Sequence, residues 1–534
     1  MSESSKKQNF LQGAAWLAMA TAVVKVIGAL YKIPLKMVIG DQGYSYFYTA
    51  YEIYTVLLLL STAGLPVAMS RMVSQAHALG HNNQVRRIYT TARTIFLTLG
   101  GVSTALMLLF CHQLADFQRQ PDAWFAILCL SPCALLTCRL SSYRGFFQGQ
   151  GNMRPTSVSQ ILEAVCKLLV GLGAAILLAK VTGSVAFAAG GAILGVTFSC
   201  LFSAVFLLSK FRPAYNALPQ THEKVDSFGT TTKRLLAFAI PITIGSVGLQ
   251  VLTVFETRLY MGQLLGGLGM EQDAAETVKG IYNMCQTVFN MPCSFIVPIT
   301  ISIIPAITSH LTLDDGRAAK TTAESAARIT GLISLPCAVG LAVLAKPVMS
   351  LLGGYGGEKA VLAGQLMALL GISVFLYATV QFTNAVLQAN GFANLPVVNM
   401  LICGAMKLLV VFILVGNPAI GMAGAPIGAL LCYFCIGALN IFSIRRVVKE
   451  KPALVMNLLR PLIPALLMGG AVFGTYQGLL WLLGEGASNI ILCGGPIMVG
   501  VVVYLIAVVV FKTITREDCL LLPKGEKIAK LMHL

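Results

Sequence analysis

The stretch Tyr143-Arg144-Gly145-Phe146-Phe147-Gln148-Gly149-Gln150-Gly151-Asn152-Met153-Arg154-Pro155 returns later as Thr383-Asn384-Ala385-Val386-Leu387-Gln388-Ala389-Asn390-Gly391-Phe392-Ala393-Asn394-Leu395-Pro396. Gln148 matches Gln388, Gly151 matches Gly391 and, further on, Lys167 matches Lys407, all at an offset of 240 residues; the prolines slip by one. Each copy reads as the junction between two helices, and recurrence at one spacing is the signature of an internal repeat. The offset contains an even number of apolar runs, so both copies have the same orientation in a membrane. This implies two six-helix lobes related by an axis along the membrane normal. The lobes are expected over 1–210 and 235–450, joined by a polar linker at 211–234. Two further helices lie at 451–511 and a basic tail at 512–534.

Working outward, 56% of the 534 residues are apolar and only 11% are charged. Mean hydropathy is +0.78. A span needs about 20 apolar residues, and the chain lacks the polar surface of a soluble enzyme or a disordered protein. The sequence therefore predicts an all-α integral membrane protein of about fourteen transmembrane helices. They are placed near 10–31, 44–66, 88–111, 123–142, 156–179, 184–209, 235–261, 281–308, 326–345, 360–384, 396–416, 421–443, 455–483 and 488–511. The first run follows Lys6-Lys7 but is too long for a signal peptide and is read as retained. Of the 38 Lys and Arg residues, 26 fall on the face that carries both termini and 7 on the other. By the positive-inside rule both termini are cytoplasmic. The net charge of +17 thus reflects basic loops and not a nucleic-acid partner.

Ionisable residues inside spans cost about 2.5–3.5 kcal/mol each at the bilayer centre and mark cavities, partners or substrates. Lys25 lies at least a turn from either end of its span and is expected to face a cavity. Glu52 stands in span two and Arg93 near the cytoplasmic end of span three, where it can snorkel. Glu163 and Lys167, spaced i,i+4, are expected to satisfy each other. Glu256 and Arg258 are two apart and point to different faces, so a pathway role and a structural one both stay open. Lys407, with Cys403 four residues before it, is a second cavity candidate. Pro292, Pro298 and Pro305 make span eight the expected bending element. The 14 cysteines fall singly or as helix-spaced pairs without histidines, so no metal site is expected. Neither a nucleotide cradle nor a nucleophile–base constellation is present; an ion gradient, the membrane potential or the substrate's own gradient must drive any transport.

The run Tyr143-Arg144-Gly145-Phe146-Phe147-Gln148-Gly149, with Pro155-Thr156 and Ser159-Gln160-Ile161-Leu162-Glu163, resembles the polysaccharide-transporter branch of the multidrug/oligosaccharidyl-lipid/polysaccharide exporter superfamily. More narrowly it is similar to the stage V sporulation protein B group and related lipid II flippases. Lys25-Val26-Ile27-Gly28, Tyr31-Lys32-Ile33-Pro34, Gly64-Leu65-Pro66, Gly280-Ile281-Tyr282-Asn283 and Ile304-Pro305-Ala306-Ile307 add to the likeness. The resemblance implies a two-lobe cavity lined by basic residues and a groove for a polyprenyl tail. Its cargo would be a polyprenyl-diphosphate-linked glycan, above all lipid II, flipped outward across the bacterial cytoplasmic membrane without enzymatic chemistry. Lys25 and Lys32 match the basic positions of the family's first helix, and Arg258 is a further cavity cation. Where such flippases often carry Arg at the start of span eight, this chain has Asn283-Met284-Cys285-Gln286. Glu52 and Glu256 are candidates for a coupling Na+ or H+ or for balancing the empty site; no other cofactor is expected. Cell-wall synthesis enzymes are candidate partners, in vegetative or sporulating cells. Two other readings are open: a cation-coupled multidrug antiporter, with an acid-lined cavity, and a non-transporting scaffold.

Overall fold

The computed structural model describes residues 3–484 and 488–515. Most of the expected basic tail lies outside them. Seventeen α-helices follow one another, with no strand among the described residues: α1 Glu3–Thr62, α2 Leu65–Ala78, α3 Asn82–Leu109, α4 Cys111–Phe117, α5 Trp124–Gly149, α6 Arg154–Thr182, α7 Val185–Asn216, α8 Phe228–Gly262, α9 Gln272–Thr312, α10 Gly316–Val343, α11 Ala345–Gly353, α12 Gly357–Ala389, α13 Asn394–Val415, α14 Gly424–Val447, α15 Leu454–Leu459, α16 Leu462–Leu483 and α17 Asn489–Val510. An all-helical answer follows from the bilayer, where each backbone N–H and C=O must be satisfied inside its own segment. Among the described residues, twelve helical stretches are long and apolar enough to cross a membrane. The first of them, Val23–Ala78, takes in the end of expected span one and all of span two, and α9 carries the expected eighth.

The loop expected between the first two spans is helical instead. α1 runs through it and turns at Gly40, whose φ of 67° and ψ of −172° are open to a residue without a Cβ. Lys36 and Asp41, both buried, close an ion pair of 3.2 Å beside the turn. Pro292, Pro298 and Pro305 all fall within the single helix α9.

The chain divides into two compact units. Unit 1 comprises the residues up to Gly262 together with Glu271–Gly280; unit 2 comprises Gln263–Met270 and the residues from Ile281 onward. In unit 1, α6 and α7 approach so closely that a Cβ on Gly195 would lie 2.1 Å from the Gly171 Cα. Small residues are what allow such backbone contact where lipid removes the hydrophobic drive between helices. In unit 2, α12, α13 and α14 are joined by buried amides: Asn440 donates to Thr383 (3.0 Å) and Asn384 (2.8 Å) and accepts from Asn399 (2.9 Å). The last helices pack on α10. Tyr504 donates to the Leu332 carbonyl at 2.7 Å, and a Cβ on Gly331 would strike the Leu458 carbonyl oxygen at 2.2 Å.

The internal repeat is also a repeat of backbone geometry. α5 ends at Gly149 and α12 at Ala389; α6 starts at Arg154 and α13 at Asn394, each pair 240 residues apart. Gly151 and Gly391 both turn with positive φ, 76° and 86°. The same bonds close both junctions: Gln150 N–H to Phe146 and Asn390 N–H to Val386, Asn152 N–H to Phe147 and Phe392 N–H to Leu387. These are helix C-caps that only a left-handed residue completes.

Within the expected linker, α7 continues to Asn216 and α8 begins at Phe228. The segment between them is strapped across the start of α3. Gln84 N–H donates to Glu223 (3.0 Å), Gln84 and Asp226 exchange two bonds of 2.9 Å, and Arg86 and Arg87 donate to the Leu218 and Asp226 carbonyls. The strap thereby satisfies amides that a helix N-terminus leaves open and places acids at its positive end. Desolvation works against the Glu223 charge, but bonds from Thr221 and from the backbone of Glu223, Gln84 and Asn83 outweigh it and hold the carboxyl at about 2. A depressed carboxyl stabilises above its ordinary range and loses that contribution only as pH falls toward the folded value. Trypsin cleavage after the exposed Lys224 is therefore expected to be several-fold faster in Glu223→Ala than in wild type. The wild-type strap is expected to stay protected when the digestion is repeated between pH 8 and pH 6.

Candidate functional site

The second arm of α1 reads Gly43-Tyr44-Ser45-Tyr46-Phe47-Tyr48-Thr49-Ala50-Tyr51-Glu52-Ile53-Tyr54. At 3.6 residues per turn, Tyr44, Phe47, Tyr48 and Tyr51 share one face, while Ser45, Thr49 and Glu52 share another. The rings pack along their face, Tyr44 on Tyr48 at 5.1 Å and Phe47 on Tyr51 at 4.9 Å between centroids. The two faces meet opposite kinds of charge, both inside unit 1.

The aromatic face meets lysines. Lys32, on the first arm of α1, donates to the Tyr48 hydroxyl at 2.8 Å and stands 4.9 Å from that ring. Lys167 of α6 donates to Tyr51 at 2.5 Å and lies 4.7 Å from its ring and 5.4 Å from that of Tyr31. Lys32 and Lys167 are close enough to repel. The expected Glu163–Lys167 pair is thus divided between other partners: Glu163 accepts from Arg144 at 2.9 Å, and Arg144 Nε donates to Ser159 at 3.1 Å. Lys25 is half-buried on the first arm of α1.

The hydroxyl face meets acids and one unexpected cation. Glu52 is 9% exposed and accepts from Thr257, yet its Oε2 has no hydrogen-bond partner. Glu256, the neighbour of Thr257 on α8, is also buried and lies within its field. Lys279, which stands just before the apolar run at 281–308, is 0% exposed. Its Nζ donates to Thr49 Oγ1 and, at 3.1 Å, to Gln120 Oε1. Gln120 in turn donates to Ser45. Glu276, one turn before Lys279, accepts from Tyr46 at 2.5 Å and from Gln272 at 2.6 Å. Arg258 is engaged at the end of α4, donating to the Phe117 carbonyl at 2.5 Å with its guanidinium 4.3 Å over the Phe117 ring. The structure therefore brings Lys32 to Lys167 and Glu52 to Glu256, and seats Arg258 on Phe117. In unit 2, Lys407 is half-buried.

Reading charges span by span overlooked Lys279, Thr49, Gln120 and the tyrosines. A signal was present in the helical spacing of 44–54, where tyrosines and hydroxyls alternate about the axis. Nothing in the sequence around Glu276 and Lys279 separates them from a wet loop.

Comparison with known proteins places this geometry in context. The sequence profile of the polysaccharide biosynthesis protein family matches residues 10–310. From Bacillus subtilis (strain 168), the uncharacterized membrane protein YabM is 26% identical over 99% of this chain and 97% of its own length. Stage V sporulation protein B is 24% identical over 97% and 98%, and the lipid II flippase MurJ 22% over 75% and 76%. Among solved structures, lipid II flippase MurJ in an inward closed conformation superposes with a TM-score of 0.65 at 13% identity, covering 93% of this chain and 98% of that one. A multidrug resistance MATE family transporter of the MOP superfamily, inward-facing, also gives 0.65 at 14% identity, with 80% and 98% covered. These likenesses show that the chain shares the fold of those proteins.

Arg144 and Glu163 form a partly buried ion pair, and removing one member strands the other. Arg144→Met is expected to lower stability by about 1–2 kcal/mol, part of it recovered in Arg144→Met/Glu163→Met. Thermal unfolding of the purified variants measures both.

Proposed function

The chain belongs to the polysaccharide biosynthesis protein family, and from that premise we propose that it is a flippase for a lipid-linked oligosaccharide diphosphate. Its cargo is lipid II, carried from the cytoplasmic to the outer leaflet by alternating access in the bacterial cytoplasmic membrane, with both termini cytoplasmic. The relatives named for lipid II flipping and sporulation support this reading, as does the fold of the lipid II flippase.

One observation carries it: two lysines of unit 1, Lys32 and Lys167, are held by phenols. Lys32 and Lys167 donate to Tyr48 and Tyr51, while the nearby Glu163 is matched by Arg144. A cation bonded to a neutral hydroxyl keeps its charge for a guest, whereas one closed on a carboxylate does not. A diphosphate cannot enter hydrocarbon without replacing its hydration, and ammonium groups in a wet cavity supply charge-assisted bonds in its place. The proposed contacts are Lys25, Lys32 and Lys167, with Arg258, which is engaged with Phe117, as a further cation for the head group. Glu52 and Glu256 are assigned to charge balance and to a coupling Na+ or H+. The flippase makes and breaks no covalent bond, and its work is moving a charged head between leaflets.

The buried acids of unit 1 favour a second reading, a cation-coupled multidrug antiporter. Complementation separates the two. Expressed in a strain depleted of its lipid II flippase, the wild-type chain is expected to restore growth. Lys25→Ala and Lys167→Met are expected to cut lipid II translocation at least tenfold at unchanged membrane levels. Full function of Lys25→Ala would support a scaffold. Failure of the wild type to rescue, with drug efflux intact, would support the antiporter.

A further inference from the structure

We propose that Lys279 is a tethered counter-cation, competing with a small monovalent cation of the sodium type for a site built on Glu52. The inference rests on the assignment of Glu52 and Glu256 to charge coupling.

The geometry is that of a site held and not closed. Lys279 and Glu52 lie within each other's field, yet no ion pair to Lys279 closes within 4 Å among the described residues. The ammonium instead bonds the neutral oxygens of Thr49 and Gln120. Glu52 meanwhile keeps one oxygen, Oε2, buried and unbonded. An unmet carboxylate oxygen in a buried position is costly. A purely structural lysine would recover that cost by moving onto it, since a charge-assisted bond is stronger than one to a hydroxyl. Gln118, two residues before Gln120, is also fully buried with both amide atoms unbonded. Unit 1 thus buries unmet polar atoms on Glu52 and Gln118 while the Lys279 ammonium has other partners.

Glu52 and its donor Thr257 present oxygen, as does Thr49 one turn before Glu52 on the same face of α1, and small hard ions prefer oxygen ligands. An ion on Glu52 Oε2 would be repelled by an ammonium nearby, so ion entry requires Lys279 to withdraw. The exchange replaces one positive charge by another and leaves the acids neutralised throughout. Lys279 stands one residue before Gly280, where a Cβ would lie 1.9 Å from the Asp41 carbonyl oxygen. The first turns of α9 are thus seated tightly on α1. α9 then continues from Ile281 as part of unit 2.

The test uses the full-length protein in nanodiscs of phosphatidylglycerol and phosphatidylethanolamine. Thermal unfolding is followed as NaCl replaces choline chloride at constant ionic strength. Lys279→Met is expected to be stabilised by Na+ with a half-point at least tenfold lower than wild type. Lys279→Arg should behave as wild type, and Glu52→Gln/Lys279→Met should lose the response. In wild type, where folding is not in question, Na+ but not choline is expected to raise amine-reactive labelling of Lys279 at least threefold by mass spectrometry. Equal half-points in wild type and Lys279→Met, a response that survives Glu52→Gln, or labelling indifferent to Na+ would each overturn the proposal. None of these readouts involves a lipid substrate, so their failure leaves the flippase reading standing, and failed complementation leaves the ion site standing.

Discussion

Burying charge in a medium that does not solvate it is the constraint on which the structure depends. Each ionisable group in the bundle must find an oxygen, a ring or an opposite charge, and the second arm of α1 is where unit 1 provides them. Its helical pitch turns a dense run of tyrosines, hydroxyls and one carboxylate into two polar faces about a third of a turn apart. One face receives Lys32 and Lys167 on phenols; the other holds Glu52 and hydroxyls beside Lys279. A single helix thus keeps an anion-attracting lining and a cation-attracting lining apart within one unit. In the proposed flippase, that separation keeps the two faces from cancelling each other.

The duplicated framework carries unequal chemistry. Arg144 and Ser159 of unit 1 correspond, 240 residues on, to Asn384 and Asn399 of unit 2. In unit 1 the arginine bonds the serine and Glu163. In unit 2 both asparagines meet Asn440, an uncharged junction in the same place. The backbone turn at Gly151 and Gly391 survives in both copies because helix geometry demands it. The side chains around it are under no such demand, and the charges have gathered in unit 1.

Charged residues were legible in sequence where hydropathy made them conspicuous. Lys25, Glu52, Glu163, Lys167, Glu256 and Arg258 each interrupt an apolar run, and all lie in unit 1. Pairing was another matter. Sequence spacing favoured Glu163 with Lys167, but a neighbouring helix brings Arg144 to the acid and α1 brings Tyr51 to the lysine. Lys279 was hidden for the opposite reason: it lies before an apolar run, where a lysine ordinarily faces water, and only the packing of the start of α9 on α1 buries it.

By itself the sequence determined that the chain is helical and crosses the membrane many times. It also determined that a helix–turn–helix junction is used twice, because those properties follow from local composition and from backbone turns that tolerate few residues. The tertiary structure decided which charges meet. Contacts such as Lys279 with Thr49 join residues 230 positions apart, and no local rule ranks one distant partner above another. That choice is made by helix packing, since the side chains a buried charge can reach depend on which helices lie against its own.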